Sequence, residues 1–210
     1  MPESNSSVAP AKPATARGQR TRNKLLDAAE QVFGIQGYDR ASIVEITQLA
    51  GVAQGTFYVY FESKKSIFIE LVETLGTNLR ATLREAVAGI DTRLEVERVG
   101  LEAFLQFISS HEHMYKIVRQ CEFVDEEVYR AYYTRMAAGY VAGLKGAMKR
   151  GEFRKLNPEA VAYALMGIFD FVGMRWILWE GKKPPKRIFD DVFALVAYGL
   201  TPDEDPRRGK

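Results

Sequence analysis

The sequence predicts an all-α protein, and three observations carry that prediction. Apolar residues recur at helical spacing through most of the chain, as in Leu25, Ala28, Ala29, Val32 and Phe33. Capping residues and glycines fall where such runs should start and stop: Ser42 and Asn157-Pro158 at starts, Gly37, Gly51 and Gly151 at ends. The one strand-like run, TFYVYF at 56–61, has no second strand to pair with. About nine helices are expected.

Bulk properties narrow the class. The 210 residues are 47% hydrophobic and 27% charged, which excludes a disordered or membrane-embedded chain and allows a sizeable core. No run approaches the roughly 20 uninterrupted apolar residues of a membrane span, and the N-terminus lacks a secretory apolar core. Cys121 is the sole cysteine, so no intramolecular disulfide exists and a reducing cytoplasm is expected. Net charge is only +2, but Lys12, Arg17, Arg20, Arg22 and Lys24 face Glu3 alone within residues 1–24. Such a gathering suits a local anionic partner, or a solvated tail.

In chain order, residues 1–16 are rich in Ser, Ala and Pro and are expected to form a disordered arm. A first helix begins near Thr21 and ends at Gly37. Ser42-Ile43-Val44-Glu45 reads as a capping box that opens a short helix, stopped by Gly51. For TFYVYF the helical reading is preferred, because Phe57 and Phe61 then share an inward face one turn apart. Ser63-Lys64-Lys65 caps a long helix over 67–88. Further helices are expected over 94–110, 114–121, 125–150, 157–180 and 188–200, followed by a flexible tail at 201–210.

Two short helices joined by a glycine turn, with a third before them, describe a helix-turn-helix unit. Its second helix would lie in the DNA major groove and needs polar or flat side chains on its outer face. Gln54, Thr56, Tyr58 and Tyr60 supply them: glutamine reads adenine edges, threonine touches phosphate or a thymine methyl, and tyrosine hydroxyls bond phosphates. Lys64, beside the capped start of the next helix, suits a phosphate.

At these residues the chain resembles the TetR/AcrR family of bacterial transcriptional regulators. The motifs are LLDAAEQVFGIQGYDRASIVEITQLAGVAQGTFYVYFESKKSIF, and within it AGVAQGTFYVYF and SKKSIF. The resemblance covers about residues 20–68. It implies a helix-turn-helix domain at 17–66 and an effector-binding and dimerisation domain at 67–200. It also implies a DNA-facing set of Ser42, Val44, Gln54, Gly55, Thr56, Tyr58, Tyr60 and Lys64, with Arg20 from the basic stretch. Val44 stands where an arginine reads a base in the tetracycline-responsive pattern, so a different operator is implied.

The resemblance further implies a homodimer through the last two helices, using Val161, Leu165, Ile168, Val172 and Trp176 with Phe189, Phe193 and Val196; by their pattern alone the same stripes suit intramolecular core equally. A small apolar or amphipathic effector would sit among Met114, Val118, Cys121, Glu122, Tyr129, Tyr132, Tyr133, Met136 and Phe169, with Phe123 nearby. The segment IVRQCEF resembles the fatty acyl-CoA-responsive branch. No cofactor is implied, and His111 and His113 point apart on a helix, unlike metal ligands. No nucleophile elbow, phosphate loop or metal cluster supports an enzyme. The expected protein is a cytoplasmic, ligand-responsive repressor bound to a palindromic duplex operator, with no membrane partner. An activator, or a DNA-organising or protein-binding relative without a ligand, is the alternative.

Overall fold

The computed structural model describes residues 15–202. Among them nine α-helices and one π-helical turn form, with no strand. The helices are α1 Ala16–Gln36, α2 Ile43–Ala50, α3 Gln54–Tyr60, α4 Lys64–Ala86 and α5 Arg93–Ser110. They continue as α6 His113–Val124, α7 Glu126–Arg150, α8 Pro158–Gly173, the π turn Met174–Leu178, and α9 Lys186–Leu200. Of the expected arm and tail, residues 1–14 and 203–210 lie outside the described residues.

The first helix starts five residues earlier than its apolar period suggests. Thr15 caps it, its hydroxyl accepting from the Gly18 N–H at 3.1 Å. Residues 16–24 carry no apolar stripe, so periodicity alone could not find this turn. Arg17, Arg20, Arg22 and Lys24 therefore stand on a helix rather than on an arm. The Ser42–Glu45 capping box forms in full: the Ser42 hydroxyl accepts from the Glu45 N–H, and Glu45 accepts from the Ser42 N–H at 3.0 Å. Gly51 closes α2 at φ 68°, a left-handed conformation that a side chain would strain. Ser63 and Ser66 cap α4 reciprocally, each hydroxyl accepting the other's N–H at 3.1 Å.

The chain divides into two compact units. The first holds residues 15–75 and 116–129, the second 76–115 and 130–202. Helices α4, α6 and α7 each have residues in both. In the first unit Phe33, Tyr38 and Phe68 form an aromatic cluster, with Phe33 and Phe68 edge to face at 5.1 Å. Leu25, Ile46, Phe57, Ile67 and Ile117 are fully buried around it.

In the second unit the buried Glu97 carboxylate takes Arg93 Nε at 2.7 Å and the Tyr140 hydroxyl at 2.5 Å, so its charge is paired and hydrogen-bonded. Gly173 lets α8 approach closely: a β-carbon there would collide with the Tyr115 hydroxyl and Ile108. The helix expected to reach residue 180 as one piece changes character after Gly173. In the π turn the Trp179 N–H reaches back five residues to the Met174 carbonyl at 3.1 Å. By length and composition Pro158–Leu178 would suffice to cross a membrane, which a search for uninterrupted apolar runs did not allow for. Leu165, Phe169, Val172 and Ile177 from it are buried in the second unit, as in the core helix of a globular unit.

Candidate nucleic-acid interface

The run TFYVYF is helical through Tyr60, with Phe61 as the extended residue that follows, and its residues divide by face. Phe57 and Phe61 are 0% and 2% exposed, their rings 5.6 Å apart, and they fasten α3 to the first unit. Removing a phenylalanine of this burial from water is worth roughly 1.5–3 kcal/mol, ample to override the weak helix propensity of a β-branched and aromatic run. Gln54, Gly55 and Tyr58 are exposed, Thr56 and Tyr60 half-buried. Val59, 64% exposed, also faces outward, which the sequence reading had not assigned. Ala53 provides no side-chain cap, so α3 is held by its phenylalanines and its neighbours.

Ser42 and Val44 flank the start of α2, Ser42 half-buried in its capping box and Val44 exposed. Glu45, bonded by Ser42 and by Gln36 Nε2 at 2.9 Å, has its carboxyl held below the ordinary range by those hydrogen bonds. An open groove of about 400 Å³ lies between α1 and α2, lined by Ile35, Gln48, Leu49 and neighbours. None of the DNA-facing candidates lines it.

Lys64 has other partners than the phosphate expected of it. Its ammonium donates to the carbonyls of Tyr38, Asp39 and Ala41 at 2.7, 3.2 and 3.0 Å, and sits 4.5 Å from the centre of the Tyr38 ring. All three of its hydrogens are engaged, so its present role is to hold the α1–α2 turn. Arg22 is likewise occupied, ion-paired with Glu70 and lying over the Phe61 ring at 5.1 Å. Arg17, Arg20 and Lys24 are exposed at i, i+3 and i+7, one basic face of α1.

The effector candidates fall in both units. Val118, Cys121, Glu122 and Tyr129 belong to the first unit, and Met114, Tyr132, Tyr133, Met136 and Phe169 to the second. Glu122 is exposed and Phe123 is 89% exposed, because Val118 and Cys121 already occupy the inner face of α6. Burial pushes the Cys121 thiol up to about 11, with the Asp125 carboxylate adding to it, so it is a core residue rather than a nucleophile. Within the second unit Tyr115, missed from sequence, gathers with Tyr132, Tyr133 and Asp170. Its hydroxyl donates to the Asp170 carbonyl at 3.1 Å, and its pKa is raised, first by burial, then by the Asp170 charge. Its signal was its place beside Met114 in an apolar helix, indistinguishable from core. His111 stacks on Phe107 with ring centres 4.1 Å apart and directs Nδ1 at the Phe107 carbonyl, a structural occupation.

The residues of the dimer stripe divide by burial. Leu165, Val172 and Val196 are buried within the second unit, and Val161, Ile168, Trp176, Phe189 and Phe193 are half-buried. The exposed apolar residues are instead Tyr163, Phe171 and Trp179, with Leu195 and Tyr198 on α9. Both faces of α8 are apolar, so its period could not say which one the chain itself covers.

A three-helix arrangement of α1, α2 and α3, with an outward polar face on a buried-phenylalanine helix, defines a helix-turn-helix DNA-binding protein. Residues 25–71 match the profile for bacterial regulatory proteins, tetR family. The HTH-type transcriptional regulator YdgC of Bacillus subtilis is 29% identical over 192 residues, covering 89% of this chain and 96% of YdgC. The fatty acid degradation regulator FadR from Bacillus halodurans has the same fold, with a TM-score of 0.78 at 20% identity, over 90% of this chain and 98% of FadR. FadR from Bacillus subtilis, solved with stearoyl-CoA, gives a TM-score of 0.74 at 21% identity, over 84% and 98%. Residues 25–71 thus carry the DNA-binding profile of the tetR family, and nearly the whole chain is similar in sequence to an HTH-type transcriptional regulator.

Proposed function

We propose that the chain is a dimeric, cytoplasmic repressor that binds a palindromic operator and is released by an acyl thioester of a long-chain fatty acid. Residues 17–66 serve DNA binding and 67–200 serve effector binding and dimerisation. The observation that carries the reading is the division of α3, with Phe57 and Phe61 inward and Gln54, Gly55 and Tyr58 free to meet base edges and phosphates. Thr56, Tyr60, Ser42 and Val44 flank that contact, and Arg17, Arg20 and Lys24 add a basic face for the backbone. Lys64 acts by holding the turn before α2.

The effector class is supported by FadR of Bacillus subtilis, whose structure holds stearoyl-CoA. It is also supported by the apolar and tyrosine-rich interior of the second unit around Tyr115, Tyr132, Met136 and Phe169. Dimerisation uses the exposed Tyr163 and Phe171 of α8 with Leu195 and Tyr198 of α9. An effector can release DNA only by binding one state of the dimer more tightly than the other.

Selection of random duplexes by the full-length protein tests the reading. The expected product is a palindrome with half-sites about one helical turn apart, bound about tenfold less tightly by Tyr58→Ala and released by stearoyl-CoA. Recovery of no preferred sequence, or wild-type binding by Tyr58→Ala, refutes the placement of the interface. Sedimentation checks the dimer: Phe171→Glu should run as a monomer.

A further inference from the structure

The turn between α1 and α2 sets where α2 begins, and through it where α3 lies. It is short and held from outside. Gly37 leaves α1 at φ 84°, and the following N–H, that of Tyr38, donates to Gln120 Oε1 at 2.5 Å. A β-carbon on Gly37 would itself lie 3.4 Å from that oxygen. Gln120 belongs to α6, some eighty positions later, yet to the same compact unit.

Its amide is oriented, since Nε2 donates to the Lys116 carbonyl one turn back at 2.7 Å and leaves Oε1 facing the turn. Lys64 grips the same turn through the carbonyls of Tyr38, Asp39 and Ala41. The neighbouring Lys65 pairs with Asp125 at 3.1 Å, and Asp125 in turn accepts the Val128 N–H at the start of α7. The α1–α2 turn is thus held on one side by α4 and on the other by the 116–129 segment. Gln120 is the side chain through which that segment touches its backbone amide.

We propose that Gln120 is a positioning residue for DNA binding, fixing the Gly37–Ala41 turn so that the 116–129 segment and the α2–α3 pair respond together. The inference rests on the reading that α3 binds DNA. Gln120 is half-buried between the exposed Arg119 and the buried Cys121, and its side-chain oxygen is aimed at a backbone N–H of the turn rather than at solvent. The contact also predicts reciprocity: what binds the α2–α3 pair must be felt in 116–129 to the extent that the segment is felt in return.

Hydrogen–deuterium exchange of the full-length protein, with and without the selected duplex, tests it. In the wild type the duplex should slow exchange in both 37–41 and 116–129. In Gln120→Leu the free protein should exchange at least about threefold faster over 37–41, and duplex affinity should fall about three- to tenfold. The duplex should also no longer slow 116–129. Gln120→Glu keeps an acceptor oxygen for Tyr38 but loses the Nε2 donation to the Lys116 carbonyl, so it should fall between wild type and Gln120→Leu. Gln120→Ser, too short to reach Tyr38, should repeat the leucine result if the leucine variant folds poorly. The proposal is overturned if either short or apolar variant still transmits the duplex effect, if Gln120→Glu fails as they do, or if the duplex leaves 116–129 unchanged in wild type. Failure of the DNA-binding reading looks different: no duplex is selected, while the change over 37–41 in free protein still reports the contact.

Discussion

The two units of this chain arrange polar groups in opposite ways. In the first, the polar contacts sit at the surface ends of short helices and fasten turns: Ser42 with Glu45, Lys64 and Gln120 with the α1–α2 turn, Ser63 with Ser66. Its buried positions are mostly apolar, with Thr47 donating its hydroxyl to the Val44 carbonyl within α2. In the second, long helices enclose polar groups, Glu97 with Arg93 and Tyr140, and Tyr115 with the Asp170 carbonyl. Both units leave large apolar side chains outside, Val59 and Phe123 in the first, Phe171 and Tyr198 in the second. A unit that must present one short helix in one orientation is built from rigid turns. The second unit, proposed to pair with a second copy and take a ligand, places polar groups in its interior instead.

Several substitutions would break or sharpen that contrast. The largest effect is expected from Phe57→Ala in the first unit, at about 3–5 kcal/mol, since the side chain is fully buried and α3 has no cap to fall back on. Urea unfolding measures it, and duplex binding should vanish with it. In the second unit Gly173→Ala should cost about 1–3 kcal/mol, because the added methyl meets the Tyr115 hydroxyl and Ile108. Duplex binding should stay largely intact, and urea unfolding measures this cost too. A neutral result there would show that α8 can shift away from Tyr115.

The smallest effect falls on a turn. Ser42→Ala should cost about 1 kcal/mol, read as a lowered Tm, through loss of one half of the capping box. The Ser42 hydrogen bonds hold the Glu45 carboxyl below its ordinary range, so their contribution is present at neutral pH. It fades as pH falls through that range and the carboxylate protonates. Between wild type and Ser42→Ala, the gap in Tm should therefore narrow in acid.

Much of the first unit was legible in the residues. The capping box and the stops at Gly37 and Gly51 are local matters, each decided by a few adjacent side chains, whereas TFYVYF was legible only through the spacing of Phe57 and Phe61, whose burial holds the helix. The N-terminal turns of α1 were not legible, because a polar helix end has no apolar period and depends on a single cap at Thr15. Nor was Lys64: from sequence it is a cation beside a helix start, and only the folded turn brings three carbonyls to it. Gln120 was invisible for the same reason, its partner lying far away in the chain.

By itself the sequence determined the all-α class, the order of the helices and the helix-turn-helix motif, because periodicity, caps and glycines act over a few residues. The tertiary structure alone decided which apolar face of α8 is core and which is outside, where the π turn interrupts it, and which polar side chains are already taken. Those choices turn on contacts between residues distant in the chain, and an apolar stripe reads the same whether its own chain covers it or leaves it exposed.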